Sequence, residues 1–514
     1  MLELVMGDKV LVLDFGSQTS HLIARRVRGL GVFCEVVESD MTLEKIKDDP
    51  TIKALILSGG ARSVYQSNAP KFDKNILKLG IPVLGICYGH QLIAHLSKGE
   101  VVGGKRGEYG RTRLQIKRGS ELLDGLPPET NVWMNHKDVV ARIPQAFKLS
   151  AISEDAVCAA YEMPAKGLYG VQFHPEVSHT EYGIQIIKNF IFKIAGCQKS
   201  WSSRRLLKDL VSEARREIGS EKAIIGLSGG VDSATAAILV SRAIGKNLIA
   251  VYVDTGFMRQ GETAFIRKAF KSVNIILKVV NARAKYFAAL RGIRRPERKR
   301  RIIGKIFTDI FWEVAKKQKA TILIQGTIYS DRIESGGTKL SSRIKSHHNV
   351  GGLPKHLKLR IYEPLKELYK DEVRELARSI GLTQDIANRK VFPGPGLAIR
   401  VVGEVTPERV KIVRAATQIL EEELLKTRLY KKIWMGFAIL LPIKSVGIQG
   451  DQRSYKYPLV VRIVESRDAM TAQFSKMPWN LLECISTRIT NEIKEVNRVV
   501  YDITHKPPAT MEWE

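Results

Sequence analysis

The sequence predicts two doubly wound, parallel-sheet α/β domains followed by a smaller α+β domain. Three observations predict it. From Lys9 to about Gly196, short β-branched runs alternate with helical stretches, as in KVLVLDFG, ALILSGG, PVLGICYG and GLYGVQFHPE, each bounded by glycine or a turn. The same order restarts near Ala223 with AIIGLSGGVDSATAAILV, NLIAVYVDTGF, IILKVVNA and TILIQGTIYSD. Past the proline- and glycine-rich NRKVFPGPGLAIRVVGEV, long helix candidates mix with strands such as YPLVVRIVES.

A chain of 514 residues suits about three domains at ~150 residues each. The capped, amphipathic stretch from Cys197 to Lys222 marks the first boundary, and the expected domains are 1–200, 201–389 and 390–514. Hydrophobic and charged fractions of 44% and 26% are those of an ordinary soluble protein.

Lys and Arg total 82 against 53 for Asp and Glu, a net charge of +29 that invites a nucleic-acid reading. The excess is spread along the chain, and no aromatic stacking motif of the RNA-binding kind occurs. Its densest run, RGIRRPERKRRIIGK (Arg291–Lys305), suits small phosphates, so a polynucleotide is not the expected primary partner. The five cysteines are odd in number and lack any C-x-x-C, which argues against a disulfide framework or a zinc site. With no signal-peptide layout and no apolar run near ~18 residues, no membrane partner is expected and a cytoplasmic location is.

In PVLGICYGHQ, Cys87 stands between an apolar strand and a helical pattern with small residues on both sides. That setting presents a thiol on a sharp turn, beside helix-starting amides able to hold an oxyanion. GVQFHPEVS supplies His174 as base, Glu176 two positions on to orient it, and Pro175 to stiffen the loop. These segments, with LDFGSQTSHLIARRVR, resemble the class I glutamine amidotransferase family. The resemblance implies that Cys87 is acylated by glutamine, with His174 as base then acid and Glu176 as orienter. It also implies that Gly59 and the Tyr88 backbone form the oxyanion hole, with Gln91 among the glutamine contacts. Ala61 and Asn135-His136-Lys137-Asp138 depart from the family's usual proline and Ser-His-Gly-Asp.

GLSGGVDSATAAIL sets two glycines, two serines and an aspartate between a strand and a helix. Such a turn brings amides and hydroxyls to an anion at a helix N-terminus, and Asp232 can hold a divalent cation. It is neither a Walker loop nor a dinucleotide fingerprint. SGGVDS is similar to the signature of ATP pyrophosphatases, which implies ATP contacts at Ser228, Gly229, Gly230, Val231, Asp232, Ser233 and Asp254, with Mg2+ accompanying ATP at Asp232.

RRPERKRRIIGKIF, IQGTIYSDRIES, KSHHNVGGLP, EPLKELYKDEVRELA, FPGPGLAIR, KSVGIQGDQRSY and DITHKPPATMEWE together resemble the glutamine-hydrolysing GMP synthetase family over essentially the whole chain. A nucleotide phosphate needs cationic and N–H donors, and Arg300 and Lys506 offer the first and the backbone of the Gly394–Gly396 turn the second. The resemblance implies xanthosine monophosphate (XMP) as acceptor, alongside ATP and glutamine. It further implies Gln449, Lys506 and Glu512 as XMP contacts, and a homodimer formed through the C-terminal domain. Ser330 and Arg332 depart from the family pattern. The two prolines of KPPATMEWE and a buriable Trp513 predict a docked tail rather than a frayed one. An NAD-synthetase-like or tRNA-thiolating enzyme would share the phosphate loop. The first usually carries another type of glutaminase, and the second would want a cysteine between Cys197 and Cys484.

Overall fold

The computed structural model describes residues 7–154, 156–271, 275–329, 331, 359–382, 386, 389–466 and 472–514. Ser330, Arg332 and the KSHHNVGGLP segment lie outside them. Packing divides the chain into two compact units that meet in sequence at Asp209 and Leu210.

The first unit is built on a nine-stranded sheet of order β2-β1-β3-β4-β9-β8-β7-β5-β6. β1 (Lys9–Asp14), β2 (Phe33–Glu38), β3 (Ile52–Leu57), β4 (Val83–Ile86) and β9 (Leu168–Val171) are parallel. β1, β4 and β9 are buried along nearly their whole length, as strands covered on both faces are, while β2 at the sheet edge carries Glu35 and Glu38. Helices α1 (Ser20–Gly29), α2 (Leu43–Lys47), α3 (Tyr88–Leu96) and α4 (Gly183–Lys188) lie between or after these strands in sequence. The other half of the sheet is antiparallel: β5 (Glu100–Ile116), β6 (Glu129–Arg142), β7 (Lys148–Ser153) and β8 (Ala160–Met163). This half was not foreseen. β5 reads EVVGGKRGEYGRTRLQI, whose glycines and charges hide a strand that is held by its long pairing with β6 rather than by an apolar run.

α5 (Ser203–Ile218) straddles that division in sequence, and the second unit carries a five-stranded, all-parallel sheet of order β12-β11-β10-β13-β14. Its strands are β10 (Ala223–Gly226), β11 (Leu248–Asp254), β12 (Ile276–Asn281), β13 (Ile322–Ile324) and β14 (Arg360–Tyr362). Strand order reverses at β10, so the crevice beyond the carboxyl ends of β10 and β13 is the topological switch point, where ligands of such sheets bind. α6 (Val231–Ile244), α7 (Glu262–Phe270), α8 (Arg283–Leu290), α9 (Pro296–Gln318) and α10 (Lys370–Ser379) accompany this sheet.

After α11 (Pro407–Leu425), a third sheet is centred on β17 (Gln452–Glu465). β15 (Met435–Leu440), β16 (Ser445–Gln449) and β18 (Gln473–Phe474) pair with it antiparallel, and β19 (Val496–Tyr501), which follows α12 (Trp479–Glu492), pairs parallel. One apolar cluster runs from Ile224, Val251 and Phe311 through Leu397, Val413 and Leu420 to Val461 and Ile489, so both sheets of this unit share a core.

Candidate active sites

β4 and β9 are neighbours, with Ile86 opposite Val171, so the residues that follow each strand emerge side by side. Cys87 follows the first and His174 the second. Cys87 N–H donates to Val171 O at 2.8 Å. The cysteine sits at φ 53, ψ −103, outside the usual regions for a residue with a side chain, at a cost of order 1–3 kcal/mol. Close packing enforces that turn. A Cβ on Gly85 would lie 2.4 Å from Gly89 C, and one on Gly89 would lie 2.3 Å from Leu57 O. The glycines therefore let α3 press onto β3 and β4 and leave the thiol projecting at the helix start.

His174 Nδ1 meets Glu176 Oε1 at 2.7 Å, and both side chains are buried. The loop that carries them is pinned: His174 N–H donates to Trp133 O (3.0 Å), Thr180 Oγ1 to His174 O (2.7 Å), and Arg26 Nε to Glu176 O (2.8 Å). His174 Nε2 is buried without a hydrogen-bond partner, and the Cys87 thiol turns to the Asn135 carbonyl at 3.8 Å. Such apo geometry tightens when substrate arrives. Burial pushes the imidazole's pKa down, but attraction to Cys87 and Glu176 outweighs burial and holds it up at about 10. The imidazole is thus biased toward its protonated form, a cation set close to Cys87.

Gly59 adjoins this centre, since a Cβ there would be 3.4 Å from His174 Cε1 and 3.2 Å from Ser17 Oγ. A Cβ on its neighbour Gly60 would lie 3.2 Å from Tyr88 Cγ, and the Tyr88 amide lies at the helix start, where amides lack helical acceptors. Gln91 is placed differently from a free ligand contact. It is buried, and its Nε2 donates to Asp138 O (2.7 Å) and Gln172 Oε1 (3.1 Å), fastening α3 to β6.

In the second unit Ser228–Ser233 bridges β10 and α6 at the switch point. Gly229 has φ +77, Gly230 caps α6, and the Ser228 and Ser233 hydroxyls lie 3.1 Å apart. Gly326, past β13, closes on the loop, for a Cβ there would be 3.1 Å from Ser233 N. Asp232 Oδ2 pairs with Lys370 Nζ at 2.5 Å, while its Oδ1 is buried with no partner. A free carboxylate oxygen beside an anion cradle fits Mg2+, which is held by one or two carboxylates plus substrate phosphates. No group of three or more metal-ligating side chains occurs among the described residues. Asp254 ends β11 and accepts from Thr263 Oγ1 and Arg283 Nη2, both at 2.8 Å, and from Gly256 N–H at 3.1 Å. Burial raises its pKa, and these donors more than reverse the effect, so it stays below the usual carboxylate range.

The C-terminal residues implied for XMP are spread over several contacts. Arg300 Nη2 donates to Glu514 O, and Glu512 is gripped by Arg400 at 2.9 and 3.1 Å. Gln449 accepts from Lys456, and the backbone of Lys506 pairs with that of Ala472. The tail is docked: buried Arg462 binds Asp502 and the carbonyls of Thr504, Thr510 and Met511, while Trp513 Nε1 reaches Asp502 (2.9 Å). Gly396 is packed on Phe257 O, which a Cβ would approach to 2.5 Å. Lys370, Arg400 and buried Lys299, which holds Glu514 and Val401 O, escaped the sequence reading. Arg400 stands in the apolar GLAIR, whereas Lys299 lies within the basic run expected to meet phosphates and Lys370 in a charged helix start, where nothing local sets either apart.

Comparison with known proteins agrees with this division of chemistry. The class I glutamine amidotransferase family matches residues 11–194, NAD synthase matches 204–298, and the GMP synthase C terminal domain matches 422–513. A protein of Caldanaerobacter subterraneus described as glutamine-hydrolyzing GMP synthase is 48% identical over 515 residues, covering 99% of this chain and 100% of the relative. The chain belongs to the glutamine-hydrolyzing GMP synthase family. Further members from Symbiobacterium thermophilum and Nostoc punctiforme, each 48% identical, cover 99% and 95% of their own lengths. Because these GMP synthases align end to end, the NAD synthase match marks a shared ATP-handling fold rather than a rival assignment. No helix among the described residues is long and apolar enough to cross a membrane.

Proposed function

We propose that the chain makes GMP from XMP, ATP and glutamine, with 1–200 releasing ammonia, 201–389 handling ATP, and 390–514 contributing to the acceptor site and the dimer. The observation that carries this reading is the pairing, in one chain, of a Cys87–His174–Glu176 set on a strained turn with an SGGVDS cradle at a switch point. Cys87 thiolate attacks the glutamine amide carbon. The oxyanion is received by the Gly59 and Tyr88 amides, and His174 passes its proton to the departing ammonia. Water, deprotonated by His174, then cleaves the thioester to glutamate.

In the second unit the Ser228–Ser233 amides and hydroxyls hold the ATP phosphates. The XMP C2 oxygen attacks the α-phosphorus, pyrophosphate leaves, and ammonia displaces AMP from C2. Asp232 Oδ1 is the atom that would hold Mg2+, which supplies charge neutralisation of the phosphates. Arg300, Gln449, Lys506 and Glu512 are assigned to XMP, which requires Arg300 and Glu512 to exchange their present partners for it. A cytoplasmic homodimer completes the reading. Exposed Val446, Ile448, Tyr455, Trp479 and Val500 of the C-terminal sheet and α12 form the kind of apolar surface that supports an interface.

The test is a product assay with XMP and MgATP. The parent should form GMP with glutamine or ammonium, and Cys87→Ala should form it with ammonium alone. GMP from glutamine by Cys87→Ala would refute the nucleophile, and no GMP under any condition would refute the acceptor.

A further inference from the structure

Glu262 opens α7 and is buried, yet none of the steps above uses it. Its carboxylate meets Arg389 in a two-pronged pair, Oε1 with Nη1 at 2.7 Å and Oε2 with Nη2 at 2.5 Å. The guanidinium also lies over the Phe265 ring, 4.4 Å from its centroid. A buried ion pair of this kind is weak evidence for stability, because desolvation offsets most of its attraction. What it can supply is geometry, since a fork-to-fork contact fixes direction as well as distance.

That geometry is aimed at the phosphate loop. Arg389 Nη1 donates to the Gly229 carbonyl at 3.3 Å, and a Cβ on Gly229 would fall 2.4 Å from Glu262 Oε1. The loop backbone at φ +77 thus rests directly on the pair. A trans peptide is planar, so a carbonyl held toward Arg389 turns the next N–H, that of Gly230, the opposite way. That N–H points to Ser228 Oγ at 3.3 Å, on the side of the loop where the two serine hydroxyls gather. The adjoining residue is tied as well: Arg259 Nη2 donates to Lys390 O (3.1 Å), and Arg259 Nε meets Glu421 of α11 (3.2 Å).

We propose that Glu262 and Arg389 form a positioning clamp for the phosphate loop, turning its amides outward before ATP arrives. The clamp rests on the reading of Ser228–Ser233 as the ATP cradle. Its affinity contribution comes from preorganisation, because a loop already turned needs no reordering on binding.

The test measures MgATP binding to the full-length protein by calorimetry, without turnover, for the parent, Glu262→Gln, Arg389→Lys and the double variant, with unfolding midpoints alongside. The clamp predicts a dissociation constant raised about tenfold or more in each single variant. The double variant should be no weaker than the weaker single, since the two residues act as one unit. A merely structural pair would lower the midpoint and leave ATP affinity within twofold, which overturns the clamp; so does a double variant whose loss is the product of the singles. Should a polar variant not fold, Phe265→Leu removes the ring beneath Arg389 and keeps the pair. Weakening of fivefold or more supports the clamp there, and a smaller effect overturns it. A parent that fails to bind MgATP refutes the cradle itself, a result distinct from a parent that binds and variants that bind equally.

Discussion

Replacing Glu176 by glutamine removes one charge and almost no volume from the glutaminase centre. The parent contact, Nδ1 to Oε1 at 2.7 Å, is charge-assisted and wholly buried. Its neutral counterpart has about half the strength, a loss of roughly 1–1.5 kcal/mol and about tenfold in rate if the contact tightens as the imidazolium forms. The other carboxylate oxygen, Oε2, is buried without a partner, so the new amide places an unsatisfied donor there at a cost of about 1–3 kcal/mol in stability. The pH dependence follows from the sign of the shift. His174 is raised from 6.5 to about 10, so its contribution is complete below the unfolded value and is lost as pH rises through about 10. Glu176→Gln should therefore slow glutamine hydrolysis about tenfold and move the alkaline limb of its pH profile, where His174 loses the proton that ammonia needs, to lower pH, while ammonium-driven synthesis continues. Hydrolysis within twofold of the parent with an unmoved alkaline limb would refute the role of the Glu176 charge.

Three other changes probe separate parts. Gly89→Ala puts a Cβ 2.3 Å from Leu57 O and should cost about 3 kcal/mol; a calorimetric midpoint for the first unit less than about 6 °C lower would contradict the packing argument. Asp232→Asn should raise the KM for MgATP about tenfold and shift the Mg2+ titration to higher concentration, as loss of one charge-assisted contact predicts; an unchanged Mg2+ requirement would move the metal elsewhere. Arg462→Met leaves Asp502 without its buried cation at a cost of about 3–5 kcal/mol. Amide exchange of Thr504–Trp513 should then rise sharply, and parent-like protection would show that other contacts hold the tail.

Both candidate centres stand out in the sequence because each depends on backbone rules that leave residue-type traces. A cysteine at positive φ needs glycines where helix meets strand, and Gly85 and Gly89 stand there. A phosphate cradle needs glycines and hydroxyls at a helix start, and Ser228–Ser233 carries them. The docked tail was expected from its prolines and a buried Trp513, but Trp513 stays exposed and buried Arg462 holds the tail instead, a partner that nothing in the tail announces. The antiparallel half of the first sheet was not, because β5 is stabilised by its partner rather than by its own composition. The partners of Gln91 were equally hidden, for nothing local distinguishes a glutamine that meets substrate from one that fastens α3 to Asp138.

By itself, the sequence marked the Cys87 turn, the His174–Glu176 loop, the SGGVDS loop, the parallel strands of the first two sheets and the family resemblance. These are properties of short segments whose period and glycine positions act locally. Only the tertiary structure decided which distant groups meet: Glu262 with Arg389 under Gly229, Asp232 with Lys370, Arg400 with Glu512, and Lys299 with the end of the tail. The physical reason is that burying a charge is tolerable only beside a partner, and the partner is chosen by how sheets and helices stack, a three-dimensional condition that no single stretch of sequence carries.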